Sequence, residues 1–521
     1  MTSFFLYGPP GSGKSTLGKA LALRLLVPFV DLDAEIERKA GLTIRDLFQR
    51  EGEAGFRARE RAMLAFVAAQ PGERVVALGG GALLDPENRR LAEAAGPVLL
   101  LKASEEVIRW RVSHQGGKRP LLELAPGGGD LLNELLKNRA AHYDSFPRQV
   151  DASSDDVPFK VEQAMVALGA FQVRAMGSGY PVRAQPGGLA GVGAWCKAAG
   201  WTGRVALVTD ENLAALPALK AVMQALARDS GATVVPVCLP AGESAKTVDS
   251  VQHLWREFLK GGLERGDGVL ALGGGVVSDL TGFAAATYLR GIRWAALPTT
   301  LLAMVDASMG GKTGADLPEG KNLVGAFYPP SLVLADSVTL ETLPESVFRS
   351  GLSEVVKHGV IGDPVLFNQC AAGWAAVRGG DWDALVRRAM AVKIRTIESD
   401  PYEKGVRASL NLGHTIGHAV ETAMAYALDH GSAVSIGLVA EARLAERMGV
   451  AEPGLAETLR GVLAGLGLPV ELPAGLDRAA MRDALMRDKK KAGGLVRFAL
   501  PVRIGDVKTG VAVDPALIAE L

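Results

Sequence analysis

Short apolar runs that end in glycine-rich turns, each followed by a longer amphipathic stretch, recur in two series along this chain. The first series holds FFLYG (4–8), RVVALGGG (74–81) and GPVLLLKA (96–103). The second holds GRVALVTDEN (203–212), ATVVPVCLP (232–240), GVLALGGG (268–275) and RWAALPTT (293–300). Continuous apolar runs alternating with helical stretches are the pattern of strands buried on both faces, so each series predicts an α/β unit with a parallel sheet. After about residue 342 the pattern changes. VFRSGLSEVVKHGVI, WDALVRRAMAVKIRTIE and GHTIGHAVETAMAYAL carry apolar residues three and four apart, which predicts helices. Between the two series a polar turn, one short helical stretch and a break near Gly177 place a boundary close to residue 172. Three units are expected: 1–172 and 173–342, both α/β, the second Rossmann-like, and 343–521, mainly α-helical.

Composition narrows the function classes. A chain of 521 residues exceeds what one core supports, and 48% hydrophobic with 22% charged residues excludes a disordered or fibrous protein. With 57 basic and 57 acidic residues the net charge is zero, so no overall field favours nucleic acid or an acidic membrane surface. Anionic ligands must be met locally. No apolar run reaches the roughly 20 residues of a spanning helix, and MTSFFLYGPPGSGKST lacks the charged start and cleavage site of a signal peptide, so a cytoplasmic location is expected. Cys196, Cys238 and Cys370 are odd in number and dispersed, which argues against a disulfide framework or a cysteine zinc site.

The segment GPPGSGKS (8–15) fits G-x-x-x-x-G-K-[ST] between an apolar run and the helical LGKALALRLL. Such a loop binds the phosphates of a nucleotide. Backbone amides of Gly11, Ser12, Gly13 and Thr16 surround phosphate oxygens, Lys14 reaches the terminal phosphates, and the Ser15 hydroxyl can hold Mg²⁺. Further on, FVDLDAEIERKAGLTIRDLFQREGEAGFRARE (29–60), ALGGGALLDPENRR (77–90), KRPLL (118–122) and NRAAHY (138–143) follow in order. Together these stretches, covering nearly all of residues 1–172, resemble shikimate kinases. The resemblance implies that Asp31 helps organise Mg²⁺, that Asp33, Arg57 and Gly79, Gly80 and Gly81 hold shikimate, that Arg139 joins them at its carboxylate, and that Arg119 sits on a lid over ATP. The residue types suit the task, since arginine forks match a carboxylate and a fixed carboxylate matches hydroxyls. Phosphoryl transfer needs positioning and charge neutralisation, which Lys14, Arg119 and Mg²⁺ supply; Asp33 as base and Asp33 as anchor both stay open. A kinase of gluconate or nucleotides, or a nucleotide-binding module that only regulates its neighbour, are the rival readings.

Four of the seven histidines lie at His358, His414, His418 and His430. His414 and His418, four apart on an expected helix, share a face, and spacing alone selects them as the imidazole pair of a catalytic zinc set. GESAKT (242–247), LGGGVVSDLTGF (272–283), LPTTLLAMVDASMGGKTGADLPEGKNLVGAF (297–327), RASLNLGHTIGHAVE (407–421) and DKKKAGGLVRFALP (488–501) resemble 3-dehydroquinate synthases over residues 173–521. That resemblance implies a different set, in which Glu354, His414 and His430 hold zinc or another divalent metal and His418 stands on the substrate side. It places NAD against Asp210, Asn212, Glu243, Lys246, Gly274, Gly275, Val276, Asp279, Thr299, Thr300, Lys312, Lys321 and Thr342. For 3-deoxy-D-arabino-heptulosonate 7-phosphate it implies Asp306, Lys312, Lys321, Asn322, Lys357, Lys393, Arg407, Asn411, His418 and one of Lys489 and Lys490. The family usually has glutamate after HG, where this chain has Ser432. The reaction implied oxidises the substrate with NAD, releases phosphate and returns the hydride, with no net redox change. Another sugar-phosphate cyclase is the nearest rival. Oligomeric state stays open, a homodimer through the C-terminal half being one option.

Overall fold

The computed structural model describes residues 3–114, 128–487, 491–492 and 495–519; Arg119, Lys489 and Lys490 lie outside them. The chain divides into two compact units, Met1–Gln172 and Val173–Leu521.

In the first unit the strand Phe4–Tyr7 is apolar and fully buried, as expected for the middle of a sheet covered on both faces. Five parallel strands run in the order Phe29–Asp31, Val75–Ala77, Phe4–Tyr7, Val98–Lys102, Gln149–Asp151. On one face Phe5, Tyr7, Val76 and Leu100 pack against Leu32, Ile36, Leu47, Phe56 and Leu64 of the following helices. Each such side chain contributes roughly 1.5–3 kcal/mol by leaving water. A reciprocal hydrogen-bonded cap between Thr43 and Asp46 starts the helix Ile44–Ala68, and Gly52 (φ 69°) breaks it before Arg57 and Glu60. Because the strands are parallel, the turns after Tyr7, Asp31 and Ala77 gather at one edge.

The second unit carries parallel strands in the order Tyr180–Ala184, Val333–Ala335, Arg293–Pro298, Gly268–Gly273, Arg204–Asp210, Thr233–Leu239. The order reverses between Gly268–Gly273 and Arg204–Asp210, the place where open α/β sheets form a ligand crevice. An antiparallel hairpin, Lys312–Leu317 with Gly320–Phe327, follows. The helices Glu345–Gly362, Trp382–Ser399, His414–Ala423 and His430–Arg447 make up most of the remainder. The α/β class and the helical character after residue 343 are as the pattern predicts. One addition is a small antiparallel sheet, Lys491–Ala492, Leu495–Arg503 and Asp506–Val513, whose Val496, Phe498 and Leu500 pack on Ile416, Val420 and Leu444. No helix among the described residues is long and apolar enough to cross a membrane.

Candidate active sites

At the edge of the first sheet, Gly13 adopts φ 90° as the N-cap of the helix Lys14–Leu25, a conformation open to glycine at little cost. Gly11, Ser12, Gly13, Lys14, Ser15 and Thr16 therefore stand on the turn and first helical residues that follow the central strand. Lys14 Nζ donates to the carbonyls of Gly8 (2.8 Å) and Pro9 (3.0 Å), which holds the ammonium over the loop. Ser15 Oγ donates to Asp31 Oδ2 at 2.6 Å. A cavity of about 260 Å³ opens beside them and brings Lys14, Asp31, Asp33, Arg57, Gly79–Gly81 and Arg139 onto one lining.

Inside that cavity the charges are arranged by burial. Asp33 is pushed up to about 6, first by burial and then by the neighbouring carboxylates of Asp31 and Glu60. Arg57 Nη1 pairs with Glu60 Oε2 at 2.7 Å, and Glu60 is almost wholly buried with its other oxygen lacking a hydrogen-bond partner. A Cβ at Gly81 would lie 2.8 Å from Arg57 Nη2, and one at Gly79 2.8 Å from Glu60 Oε1, so the glycine loop packs closely against this ion pair. The Gly80 carbonyl accepts from Tyr143 Oη (2.9 Å), Arg139 Nη1 (3.3 Å) and Tyr7 Oη (3.4 Å), which fixes the loop from behind. Glu60 and Tyr143 are absent from the sequence-derived set, although Glu60 stands three residues after Arg57 on one helix, where opposite charges pair.

In the second unit three helices bring one carboxylate and two imidazoles together. Gly431 is essential to this, because a Cβ there would sit 2.0 Å from the Ser350 carbonyl on the helix bearing Glu354. Likewise a Cβ at Gly437 would sit 1.9 Å from the Gly413 carbonyl, so the helices of His414 and His430 touch backbone to backbone. Their Nε2 atoms lie 3.4 Å (His414) and 3.7 Å (His430) from Glu354 Oε1, a fully buried oxygen with no hydrogen-bond partner. One donor atom from each of Glu354, His414 and His430 fits within 4.8 Å. His414 Nδ1 faces the Leu412 carbonyl at 3.1 Å, which turns Nε2 toward the cluster. This donor set fits a divalent metal of the catalytic zinc type.

The pair that spacing alone selects is not the one that shares Glu354. His418 is exposed, its ring 5.2 Å from that of His414, and it groups with Glu421 and His430 instead. The reason is packing: His430 reaches the cluster from another helix, which helical spacing within one segment cannot register. His430 is raised to about 9 in spite of burial, because Glu354 and Glu421 both face it, whereas burial and Lys357 hold His414 well below the usual imidazole range.

Next to the cluster Lys357 pairs with Glu354 and stands 3.9 Å from Asp306 Oδ1, which Lys393 Nζ contacts at 2.6 Å and His358 Nε2 at 3.5 Å. Burial acts to raise the Asp306 pKa, but the two ammonium groups outweigh it and hold the carboxyl well below its ordinary range. Lys312 pairs with Glu403, which also accepts from Asn411 Nδ2 at 2.7 Å; Arg407, buried, donates to the carbonyls of Gly310 and Pro401. Glu403 is a further residue missing from the sequence-derived set.

Along the carboxyl edge of the sheet, Asp210 ends its strand and accepts from the Leu213 amide (3.2 Å), with Asn212 in the same turn. Glu243 opens the turn after the strand Thr233–Leu239, and Gly274, Gly275, Val276 and Asp279 begin the helix after Gly268–Gly273. Thr299 and Thr300 follow Arg293–Pro298. Lys246 Nζ joins Asp279 (2.6 Å) to Asn322 Oδ1 (2.7 Å), and Lys321 Nζ stands 3.4 Å from Glu243. Thr342 closes the turn Ser337–Thr342, its hydroxyl donating to the Thr339 carbonyl at 3.1 Å. Ser432 donates to Asp429, the cap of the helix that starts at His430, at 2.6 Å.

The family model for the 3-dehydroquinate synthase N-terminal region matches residues 236–350, that for its C-terminal region residues 351–491, and that for shikimate kinase residues 10–168. A 3-dehydroquinate synthase of Symbiobacterium thermophilum is 44% identical over 345 residues, 65% of this chain and 96% of the relative. One from Geobacter metallireducens is 46% identical over 330 residues, 63% of this chain and 91% of the relative. Among solved structures, the 2-epi-5-epi-valiolone synthase ValA of Streptomyces hygroscopicus subsp. jinggangensis with NAD⁺ and Zn²⁺ bound is 30% identical, covers 66% of this chain and 96% of its own, and has a TM-score of 0.61. A 2-deoxy-scyllo-inosose synthase complexed with carbaglucose-6-phosphate, NAD⁺ and Co²⁺ is 25% identical, covers 67% and 98%, and has a TM-score of 0.60. The chain therefore belongs to the 3-dehydroquinate synthase family and carries a shikimate kinase domain ahead of it, which makes it a bifunctional enzyme of the shikimate pathway.

Proposed function

We propose that residues 1–172 phosphorylate shikimate to shikimate 3-phosphate with Mg²⁺ and ATP, and that residues 173–521 convert 3-deoxy-D-arabino-heptulosonate 7-phosphate to 3-dehydroquinate with NAD and a divalent metal. The observation that carries the second assignment is the cluster of Glu354, His414 and His430 set beside Lys357, Lys393 and Asp306. NAD⁺ with Zn²⁺ or Co²⁺ in two solved neighbours supports the cofactor assignment. Sequence relatives at 44–46% identity, all 3-dehydroquinate synthases, favour that substrate over those of other cyclases, which stand at 25–30%.

In the kinase half, Lys14 neutralises the transferring phosphoryl group, Ser15 and Asp31 hold Mg²⁺, Asp33 accepts from substrate hydroxyls, and Arg57 and Arg139 clamp the carboxylate. Arg119 belongs to the same assignment. Glu60 positions Arg57 rather than touching substrate. Replacing Glu60 by Gln is expected to raise the KM for shikimate about tenfold with little change in kcat, as one charge-assisted hydrogen bond is worth about 1.5–3 kcal/mol. Steady-state assays with shikimate varied at saturating ATP measure it.

In the synthase half, bound metal supplies Lewis acidity toward a hydroxyl and bound NAD supplies a reversible hydride acceptor. Lys357, Lys393, Lys312 and Arg407, with Lys489 or Lys490, meet the phosphate and carboxylate; Asp306 keeps two of these ammonium groups in place, and Asn411, Asn322 and His418 take hydroxyls. Phosphate is expected once per product with NADH only transient, as followed by stopped-flow absorbance and a phosphate assay. NADH accumulating in proportion to substrate consumed, without phosphate, would make this half a polyol dehydrogenase.

A further inference from the structure

Glu421 has no part in the assignments above, yet its side chain is 2% exposed and faces two cations at once. A single oxygen, Oε1, lies 3.3 Å from Lys321 Nζ and 3.5 Å from His430 Nδ1. On its other side Lys321 stands 3.4 Å from Glu243 Oε1, and its ammonium lies 4.8 Å from the centre of the Tyr426 ring. Glu243 opens the turn at the carboxyl edge of the sheet, Lys321 belongs to the hairpin, and Glu421 and His430 sit on the two packed helices. A chain of charges thus runs from the dinucleotide edge to the metal cluster, through one shared lysine.

We infer that Glu421 is the positioning residue for His430, and that Lys321 makes metal binding and dinucleotide binding strengthen each other. This rests on the metal and NAD reading of the same half. A carboxylate on the Nδ1–H of an imidazole fixes the tautomer, points Nε2 at the metal and raises its basicity. Lys321 Nζ, at 3.3 Å, competes for the oxygen that would do this. A pyrophosphate-bearing dinucleotide at the Glu243 edge draws the Lys321 ammonium toward its own negative charge, and Glu421 Oε1 is left to His430. The metal then binds more tightly. By linkage, the metal must tighten the dinucleotide by the same factor.

The test uses the full chain stripped of metal, with Zn²⁺ affinity read by competition against a chromophoric chelator, with and without saturating NAD⁺. In the unaltered chain NAD⁺ is expected to tighten Zn²⁺ by about five- to tenfold, within the usual span of coupling between sites. Glu421→Gln, of the same size, is expected to weaken Zn²⁺ by about 10–100-fold, the range for outer-shell partners, and to abolish the NAD⁺ effect while NAD⁺ still binds the metal-free chain. Lys321→Met supplies the opposite sign: without NAD⁺ it is expected to bind Zn²⁺ as tightly as the unaltered chain does with it. Thermal melting of both variants checks that they fold, and a merely structural role for Glu421 would not give Lys321→Met its gain. Unchanged Zn²⁺ affinity in Glu421→Gln would overturn the positioning role, and an undiminished NAD⁺ effect in Lys321→Met would overturn the coupling. An unaltered chain that takes up no divalent metal would overturn the metal reading, and the inference with it.

Discussion

Lys14→Ala is expected to lower the kcat for shikimate phosphorylation by at least about 10²–10³-fold, the scale of losing one charge-stabilising donor at a transferring group. Formation of 3-dehydroquinate by the same preparation is expected to stay within about twofold, since mutations that share no partners act independently. The motive is structural: Lys14 is held over its loop by the carbonyls of Gly8 and Pro9, and the loop belongs to the compact unit Met1–Gln172. Alanine removes the ammonium and leaves the glycine turns that shape the backbone. Separate assays on one sample decide it, with ADP release followed for one reaction and phosphate release for the other. Equal loss of both would mean that the units do not work independently.

Most strands legible in the sequence are those that the sheets bury on both faces, the half-exposed edge strand Thr233–Leu239 being the exception. FFLY and the VLLL of Val98–Lys102 are continuous apolar runs because no polar side chain can be satisfied there, whereas Lys102 at the strand end is exposed. Phe29–Asp31 and Gln149–Asp151 are three residues long and end in aspartate, so they carry too little apolar pattern to register. Tyr180–Ala184 contains Pro181 and Arg183, which disguise it. The hairpin Lys312–Leu317 with Gly320–Phe327 is similarly hidden, since its lysines and Gly314 and Gly325, which approach backbone to backbone, break any alternation.

Of the sites, the phosphate loop is wholly legible because its residues are contiguous and its geometry is local. The metal cluster is legible only in part. Spacing finds His414 but favours His418, since it can see neither the contact of Gly413 with Gly437 nor that of Gly431 with Ser350 that brings His430 in. Glu403 and Glu421 stay hidden for one shared reason: each is a carboxylate that holds another functional side chain, and its role exists only once the fold has brought the partners together. Glu60 differs, since its partner Arg57 lies three residues before it on the same helix.

His430→Ala is expected to strip the synthase half of stoichiometric metal and its turnover with it, whereas His418→Ala keeps the metal and loses turnover. His430 faces Glu354 with one ring nitrogen and Glu421 with the other, so its removal takes away a donor and leaves two buried carboxylates short of a partner. Loss of one of three protein donors from a catalytic-type set opens it to water. His418 by contrast is exposed and does not share the donor set of Glu354, grouping instead with Glu421 and His430, so it has no first claim on the metal. Metal content after gel filtration separates the cases. Activity is expected to fall by about 10² or more in both variants, in keeping with loss of a metal's charge stabilisation or of a positioned acid–base group. Added Zn²⁺ should restore neither: the first variant lacks a donor, and the second already holds its metal. Stoichiometric metal in His430→Ala and none in His418→Ala would instead return the ligand role to the pair that helical spacing selects.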